Sequence, residues 1–273
     1  MSKKSGSLRK KCPIQKLYQA IRKLISKRLK VERLMKISVI TVCYNCEEAI
    51  KETLESVKKQ KGADFEYVVI DGASSDSTVE TARQYQDKIP NMRIFSEPDH
   101  GIYDAMNKGV KKAEGAYVFF LNAGDAFESE NVLAKVEDYL GSKKDIFYGN
   151  VRKGDQIETY PEVLGKGYLV YREKMVCHQA IFASRKLLLR MPFDTTLKIC
   201  ADRDWLLKAI ASGASLQYMK DLVVCSYAPG GVSGSYKNYN KESLFLAEKY
   251  GKKPAVLFVK IKRLIGKAVG HKW

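Results

Sequence analysis

The feature that most constrains the fold of this chain is the regular alternation of strand and helix signals over residues 37–150. Runs rich in β-branched and aromatic residues predict strands at 37–44, 65–70, 92–95, 116–121 and 145–148. Segments with helical periodicity predict helices at about 45–59, 74–86, 103–113 and 130–140. Strands and helices that alternate through short connections are typical of a mostly parallel sheet flanked by helices. The first half of the chain therefore predicts an α/β fold.

The second half of the chain is less regular. It predicts strands near 179–183 and 221–226, helices at about 202–211 and 240–250, and a Gly/Ser loop at 229–235. Neither a GxGxxG motif nor a GxxxxGK[ST] motif follows the first strand. These absences disfavour the dinucleotide-binding and P-loop classes of α/β protein.

The positive charge of the chain is concentrated at its two ends. Residues 1–36 contain thirteen Lys/Arg and one Glu, and residues 249–273 contain eight Lys/Arg and no acid. The formal charge of +17 therefore leaves residues 37–248 slightly acidic. Both ends also carry apolar residues at helical spacing, which is typical of helices that lie on an anionic membrane. The alternative is that these helices pack on the protein itself. Nucleic acid is not the expected partner, because the neutral body carries no basic nucleic-acid-binding motif.

Other features of the sequence favour a cytoplasmic protein. There is no run of 18 apolar residues and no signal-peptide pattern, so we expect neither a spanning helix nor export. The six cysteines are scattered, which suits a reducing compartment. Cys43 and Cys46 form a single CxxC pair, which without further ligands is poor evidence for zinc, and Cys43 is interpreted as packing at a strand end.

Four carboxylates follow predicted strands at what should be one edge of the sheet. Asp71 ends the second strand, Asp99 and Asp104 follow the third, and Asp125 follows the fourth in the turn NAGD. Each alone is more often a turn or cap residue. Grouped at the carboxyl edge, where open α/β sheets bind ligands, they would repel one another unless a cation or a donor-rich ligand lay among them. Oxygen ligands of this kind suit Mg²⁺ or Mn²⁺ shared with a diphosphate.

Four segments of the sequence resemble a known enzyme family. VITVCYN, VVIDGASSDST, DHGIYDAMNKGVKKAEGAYVFFLNAGD and CADRDW, in this order, are similar to the inverting family 2 glycosyltransferases of the GT-A fold. The resemblance is to bacterial members that build capsule, lipopolysaccharide or exopolysaccharide, and it covers roughly residues 37–235. It implies a GT-A domain at 37–250, with a nucleotide-sugar-binding half at 37–126 and an acceptor half at 127–250. Basic amphipathic segments at 1–36 and 251–273 would flank this domain.

The resemblance also implies roles for individual residues. Asp71 would read the nucleotide base, and Thr41, Val42 and Tyr44 would border it. Asp125 would bind the metal, Mg²⁺ or Mn²⁺. The other residues expected to contact the nucleotide-sugar are Asp99, Asp104, Asn107, Lys108, Asn122, Ala123 and Gly124. The chain departs from the family at the metal-binding DxD block, where Asn122 and Gly124 replace acids and only Asp125 remains.

The catalytic base that the resemblance implies is Asp202. Its usual Glu partner is Ala201 here, and Asp204 is kept as the rival base. His178 and Gln179 are expected to contact the acceptor or the diphosphate, as are Gly231 and Ser233 in the 229–235 loop. Alternatively, His178 is a histidine with a purely structural role, and the 229–235 loop is a flexible connection.

Together these residues predict an inverting glycosyltransferase. We expect it to move a sugar from a nucleotide-sugar, UDP-linked in our prediction, to a hydroxyl of a lipid-linked saccharide at the inner face of the plasma membrane. One alternative is a sugar-phosphate nucleotidyltransferase, which would need a Gly-rich basic loop that residues 42–46 do not provide. The other is a non-catalytic nucleotide-sugar-binding protein, given Asn122, Gly124 and Ala201.

Overall fold

The computed structural model describes residues 37–171, 176–227, 236–251, 256–257 and 260–261. The basic segment 1–36, most of 251–273, and the loop containing Gly231 and Ser233 lie outside the described residues. The predictions made for them therefore remain predictions.

The described residues contain nine strands and eight α-helices. The strands are β1 (Ile37–Cys43), β2 (Phe65–Asp71), β3 (Met92–Ser96), β4 (Tyr117–Phe120), β5 (Ala126–Phe127), β6 (Ile146–Lys153), β7 (Gln156–Glu158), β8 (Ile181–Ser184) and β9 (Leu216–Tyr227). The helices are α1 (Ala49–Lys58), α2 (Thr78–Arg83), α3 (Ile102–Lys112), α4 (Val132–Leu140), α5 (Lys166–Tyr171), α6 (Arg185–Arg190), α7 (Ala201–Ala211) and α8 (Tyr236–Tyr250). A short 3₁₀ helix, His178–Ala180, precedes β8.

The strands form a single sheet in the order β3-β2-β1-β4-β8-β6-β9-β5, with β7 paired to β6. The first four strands are parallel, as the alternation predicts. Beyond β4 the sheet is mixed, because β8 runs antiparallel to both β4 and β6 while β9 runs parallel to β6. Cys43, Asp71 and Ser96 are in register at the carboxyl ends of β1, β2 and β3. The carboxyl ends of these three strands therefore lie along one edge of the sheet, as predicted.

Aromatic stacking joins the two halves of the sheet. The Phe119 ring on β4 stacks on Phe182 of β8 with a centroid distance of 4.3 Å, and on Phe127 of β5 at 5.3 Å. Phe119 and Phe182 are fully buried. Stacked pairs of this kind stabilise a core beyond the area that they bury. The turn between β4 and β5 is thus anchored at both of its ends.

The first helix begins later than predicted. α1 begins at Ala49, four residues after the predicted start at Asn45. The Asn45 backbone is left-handed, with a φ of 46°, and its side chain accepts a hydrogen bond from the Ser75 backbone N–H. The loops after β1 and β2 thus bind each other, and Asn45 belongs to this loop contact and not to the helix.

Gly109 allows α3 to approach the sheet closely. A Cβ at this position would lie 2.7 Å from Ile40 Cγ2 on β1 and 3.3 Å from Ile70 Cγ1 on β2. Both isoleucines are buried, so neither can move aside easily. The absence of a side chain at Gly109 therefore determines how tightly α3 packs against β1 and β2.

Replacing Gly109 with alanine is expected to lower the free energy of unfolding by about 1 kcal/mol. Overpacking costs ~1–3 kcal/mol, and the better helix propensity of alanine offsets about 1 kcal/mol of that. Gly141→Ala is the matched control, because a Cβ there meets nothing within 4 Å and the φ of −55° suits alanine. Chemical denaturation measures both variants. Equal stability of the two would contradict the packing argument.

Candidate active site

The turn after β4 is held in place by Thr53 of α1. The Gly124 φ of 94° is left-handed, a conformation that favours glycine, and the Asp125 N–H donates to the Asn122 carbonyl at 3.0 Å. The buried Thr53 hydroxyl donates to the Asp125 carbonyl at 2.7 Å and accepts from the Gly124 N–H at 3.0 Å. Thr53 was missed by the sequence analysis, because it lies about 70 residues away and belongs to no motif.

The carboxylate of Asp125 points into the protein toward Gln179. Gln179 Nε2 donates to Asp125 Oδ2 at 2.8 Å, and each residue is only 8% exposed. Burial raises the pKa of Asp125 above its ordinary value, although the hydrogen bond from Gln179 and the nearby His178 oppose that rise. Asp125 is therefore a carboxylate whose negative charge lacks full compensation within the protein.

A second chain of contacts joins the same turn to α7. Asn122 Nδ2 lies 2.8 Å from His178 Nε2, and His178 Nδ1 lies 3.1 Å from Asp202 Oδ2. If Nδ1 carries the proton, the imidazole donates to the Asp202 carboxylate and accepts from the Asn122 amide, so both contacts are satisfied. Asn122 Oδ1 is buried and has no hydrogen-bond partner. The turn thus carries one unsatisfied amide oxygen in addition to the Asp125 carboxylate.

Asp202 occupies the first turn of α7 and remains partly accessible. Its side chain is 14% exposed, and Oδ1 accepts from the Arg203 N–H at 2.7 Å. Tyr103 of α3 lies close by and donates its hydroxyl proton to the Ile199 carbonyl at 2.6 Å. Burial, and then the negative charge of Asp202, raise the pKa of Tyr103, so the phenol remains protonated. Asp202 therefore faces the His178 imidazole and a neutral phenol.

Asp204, the rival base, lies in a different environment. Its carboxylate is fully buried, and Oδ1 accepts from Lys249 Nζ at 2.9 Å and from the Tyr250 hydroxyl at 2.8 Å. Lys208 Nζ lies 2.5 Å from its other oxygen. These partners join α7 to α8 and leave no accessible oxygen for a substrate. The geometry favours Asp202 over Asp204 as a base.

Replacing Asp204 with asparagine is accordingly expected to destabilise the protein rather than to remove an essential group. The two lysines would lose their counter-charge, and because their side chains are one-third exposed we expect a cost of about 2 kcal/mol, below that of a fully buried pair. Asp155→Asn, at an exposed acid, is the control. Urea unfolding measures the difference. A normally stable Asp204→Asn variant that had lost all activity would reverse the assignment.

The predicted base-binding residues lie at the ends of β1 and β2. Thr41 is buried, donating to the Leu121 carbonyl at 2.6 Å, and Val42 is 6% exposed. Tyr44 is 63% exposed and offers its ring to the surface. Asp71 is fully buried. Its carboxylate accepts hydrogen bonds from the Ser74 N–H at 3.0 Å, from the Ser74 hydroxyl and from the Ser96 hydroxyl at 2.6 Å.

Asp99 lies closer to the surface than Asp71. A Cβ at Gly72 would lie 2.5 Å from Asp99 Oδ2 and 3.3 Å from Tyr44 Cδ2, so the Asp99 carboxylate and the Tyr44 ring both overlie this glycine. Asp99 Oδ1 accepts from the Gly101 N–H at 2.8 Å, at the start of α3. A polar group and an aromatic face therefore lie together beside the end of β2.

The remaining predicted residues of α3 mostly bind the protein itself. Lys108 Nζ donates to the Pro98 carbonyl at 2.6 Å and lies 3.4 Å from Asp104 Oδ2. The Asn107 amide donates to the Phe193 carbonyl and accepts from the Phe193 N–H, each at 2.9 Å. Asn107 thus links α3 to the segment before α7, while Lys108 and Asp104 stabilise the loop that carries Asp99.

Comparison with known proteins identifies the family. The sequence model of the family described as "Glycosyl transferase family 2" matches residues 38–191, which contain both the turn after β4 and the His178-Gln179 pair. The chain belongs to glycosyl transferase family 2. This family 2 chain is therefore an enzyme of the glycosyltransferase class, as its motifs predicted.

Two curated relatives are similar to this family 2 enzyme. A PGL/p-HBAD biosynthesis glycosyltransferase of Mycobacterium bovis is 30% identical over 203 residues, covering 72% of this chain and 79% of the relative. The chondroitin synthase of Escherichia coli is 26% identical over 213 residues, covering 73% of this chain and 31% of that protein. The chain thus spans about a third of the chondroitin synthase.

Solved structures share the fold of this family 2 enzyme. S. aureus TarS in complex with UDP has a TM-score of 0.63 at 21% identity, covering 78% of this chain and 64% of that one, and TarS in complex with UDP-GlcNAc has a TM-score of 0.65 at the same identity, covering 78% and 66%. The mannosyltransferase PcManGT of Pyrobaculum calidifontis, in complex with GDP-Man and Mn²⁺, has a TM-score of 0.62 at 21% identity, covering 82% and 68%. These matches support the GT-A fold.

Proposed function

We propose that this family 2 enzyme transfers a sugar, with inversion, from a UDP-sugar to a hydroxyl of a lipid-linked saccharide. The observation that carries the proposal is the pair of contact chains that start at the turn after β4. One runs from Asn122 through His178 to Asp202, and the other runs from Asp125 to Gln179. The carboxylate of Asp202, which is partly accessible, and that of Asp125, which is buried, are thereby bound to adjacent residues of the 3₁₀ helix.

Asp202 is the proposed catalytic base. Its Oδ2 takes the proton of the acceptor hydroxyl while the acceptor oxygen attacks the anomeric carbon and the bond from that carbon to the diphosphate oxygen breaks. The His178 imidazole fixes the orientation of the carboxylate through their 3.1 Å contact. In-line attack inverts the configuration at the anomeric carbon.

The group that the family implies at Asp125 is a divalent cation. Among the described residues no cluster of three or more His, Cys, Asp or Glu could hold a metal by itself. The Asp125 carboxylate and the unpartnered Asn122 Oδ1 are nonetheless two hard oxygen donors, and Mg²⁺ or Mn²⁺ in such sites takes its other ligands from water and from substrate phosphates. These residues fit a cation shared with the donor. When bound, it would neutralise the departing diphosphate.

The donor assignment rests on the base-binding end of the site and on the TarS likeness. Tyr44 offers an exposed aromatic face, and the Asp99 carboxylate beside it can accept the N3–H of uracil. A thermal-shift panel of UDP-, GDP- and dTDP-sugars with and without Mn²⁺ tests this assignment. We expect the largest Mn²⁺-dependent rise in melting temperature with a UDP-sugar. A rise with GDP-sugars alone would replace UDP by GDP, and no rise with any donor would contradict the function.

The acceptor assignment rests on the basic, amphipathic ends of the chain. Leu257 and Ile261 are 58% and 45% exposed and four residues apart in the sequence, and Lys260 precedes Ile261 in the described part of the C-terminal segment. Apolar side chains flanked by lysines match the interface of an anionic bilayer. No helix among the described residues meets the length and hydropathy needed to span a membrane. We therefore propose that the enzyme lies on the inner membrane face, where a lipid-linked acceptor would be.

Removing either basic end is expected to weaken membrane binding. Deletion of 1–33 or of 254–273 should release the protein from vesicles of anionic phospholipid, because each deletion removes both apolar area and positive charge. Val163→Ser is the control, since Val163 is 85% exposed but lies in neither end. Co-sedimentation measures the bound fraction. Sedimentation unchanged by both deletions would defeat the membrane assignment.

A further inference from the structure

Two thiols, one partly buried and one buried, lie against Gln179, the residue that contacts Asp125. The Cys177 thiol donates to the side-chain oxygen of Gln179, with Sγ and Oε1 2.6 Å apart. The Cys225 thiol donates to the backbone carbonyl of Gln179 at 3.1 Å. Gln179 Nε2 then donates to Asp125 Oδ2 at 2.8 Å. The proposed mechanism assigns no role to either cysteine.

The two ends of a carboxamide have nearly the same shape but opposite polarity. With its nitrogen toward Asp125, Gln179 donates a hydrogen bond to the carboxylate. With its oxygen there, it would repel the carboxylate. The carboxylate itself therefore favours the first orientation, and a donor at the other end of the amide adds to that preference. At Gln179 that end meets Cys177.

The Cys177 thiol keeps its proton and can donate it to the amide oxygen. Burial raises the pKa of the Cys177 thiol well above its ordinary value, and the neighbouring Asp125 and Asp202 carboxylates act in the same direction. A protonated thiol stabilises the orientation in which it meets Oε1. A reversed amide would lose the S–H···O contact and would place its oxygen against the Asp125 carboxylate.

We propose that Cys177 is a positioning residue whose thiol orients the Gln179 amide, which in turn holds Asp125 ready to bind the cation and diphosphate of the donor. Because Gln179 takes Asp125 Oδ2, the oxygen left for the ligand is Oδ1. The inference rests on the proposed function, since it assumes that Asp125 binds a cation together with the nucleotide. It adds a residue that lies in none of the family-like motifs of the sequence.

The test measures Mn²⁺ binding in the presence of UDP, by the electron paramagnetic resonance signal of free Mn²⁺. Cys177→Ala is expected to weaken the Mn²⁺ affinity roughly 10-fold, the size typical of residues that orient a metal ligand. Cys177→Ser, which keeps a donor, should recover most of that loss. The Mn²⁺ concentration for half-maximal transfer should shift in parallel, with kcat at saturating Mn²⁺ nearly unchanged.

Cys225→Ala is the matched control. Cys225 is buried and also donates to Gln179, but to its backbone, so its loss should leave the amide orientation and the Mn²⁺ affinity unchanged. A second comparison uses Gln179→Met, which removes the amide. In that background Cys177→Ala should have no further effect, because its route to Asp125 is gone. If Cys177→Ala does not fold, Cys177→Val tests the same loss of a donor.

The outcomes separate the inference from the function on which it rests. Wild-type Mn²⁺ affinity in Cys177→Ala would overturn the positioning role. So would a loss of Mn²⁺ affinity in Cys225→Ala equal to that in Cys177→Ala. A third contradicting result is a Cys177→Ala effect on Mn²⁺ affinity that is as large in the Gln179→Met background as in the unchanged protein. If the unchanged protein transfers sugar but binds no Mn²⁺ with UDP, the inference fails and the transferase assignment stands. If it neither binds Mn²⁺ nor transfers sugar, both fail.

Discussion

Replacing Asp202 with asparagine is expected to reduce sugar transfer by about 10²–10⁴-fold, the range that a positioned base contributes. The amide has nearly the same shape, and it can still contact His178, but it cannot take a proton from the acceptor. Donor binding should stay near normal, because Asp202 is linked to the turn after β4 through His178, and asparagine can keep that contact. Initial rates of transfer and the Kd of the nucleotide measure the two effects separately.

The control for Asp202 is the neighbouring acid that the structure buries. Asp204→Asn should lose stability yet retain turnover per folded molecule, since Lys208, Lys249 and Tyr250 occupy its carboxylate. Retained turnover in Asp202→Asn would remove Asp202 as the base and favour Asp204. Loss of nucleotide binding in Asp202→Asn would show instead that the substitution disturbs the turn after β4.

Replacing Asp125 with asparagine is expected to abolish Mn²⁺-dependent donor binding and to stabilise the ligand-free protein. The first effect follows from the loss of the one carboxylate left in the NAGD turn. The second follows from the burial that raises the pKa of Asp125. Keeping this carboxylate ionised in the folded state costs free energy, which the neutral amide avoids.

The pH dependence of the second effect has a definite sign. A carboxyl group with a raised folded-state pKa binds more protons in the folded than in the unfolded state between its ordinary and its raised pKa. Asp125 therefore lowers the free energy of unfolding as the pH rises through that window, and the loss persists at neutral pH. With EDTA present at pH 7, Asp125→Asn should melt ~2–4 °C higher, equivalent to about 1 kcal/mol. The difference should vanish below the ordinary Asp range. A lower melting temperature at pH 7 would contradict this.

Much of the architecture could be predicted because the signals are local. β1, β2 and β4 are rich in β-branched and aromatic residues and are buried along their whole length, so both their type and their parallel arrangement follow from the sequence. β9 was predicted only for 221–226, because residues 216–218 at its start are half-exposed and lack an apolar run. The short helices α5 and α6 were missed, since six residues show too little periodicity to be recognised.

The candidate site could be predicted only as separate residues. Asp125 and Asp202 stand in family-like motifs, but nothing in the sequence indicates that His178 joins Asp202 to Asn122. Gln179 was expected to contact substrate, whereas its amide faces Asp125 and a thiol. No sequence pattern indicated that Thr53 belongs to the site. Such contacts depend on how the turn after β4, the 3₁₀ helix and α7 pack, and tertiary packing is not encoded in a local pattern.

The measurement that tests the account most directly is release of nucleoside diphosphate from UDP-sugars by the full chain with Mn²⁺, since family 2 transferases should hydrolyse donors slowly without acceptor. The account predicts that the full chain releases nucleoside diphosphate and that EDTA stops this release. Asp125→Asn should show no release, and Asp202→Asn should release nucleoside diphosphate at least 10²-fold more slowly. Mn²⁺-dependent binding of UDP-sugars with no release, by a folded protein given membrane extract as acceptor, would contradict catalysis and leave a nucleotide-sugar-binding protein.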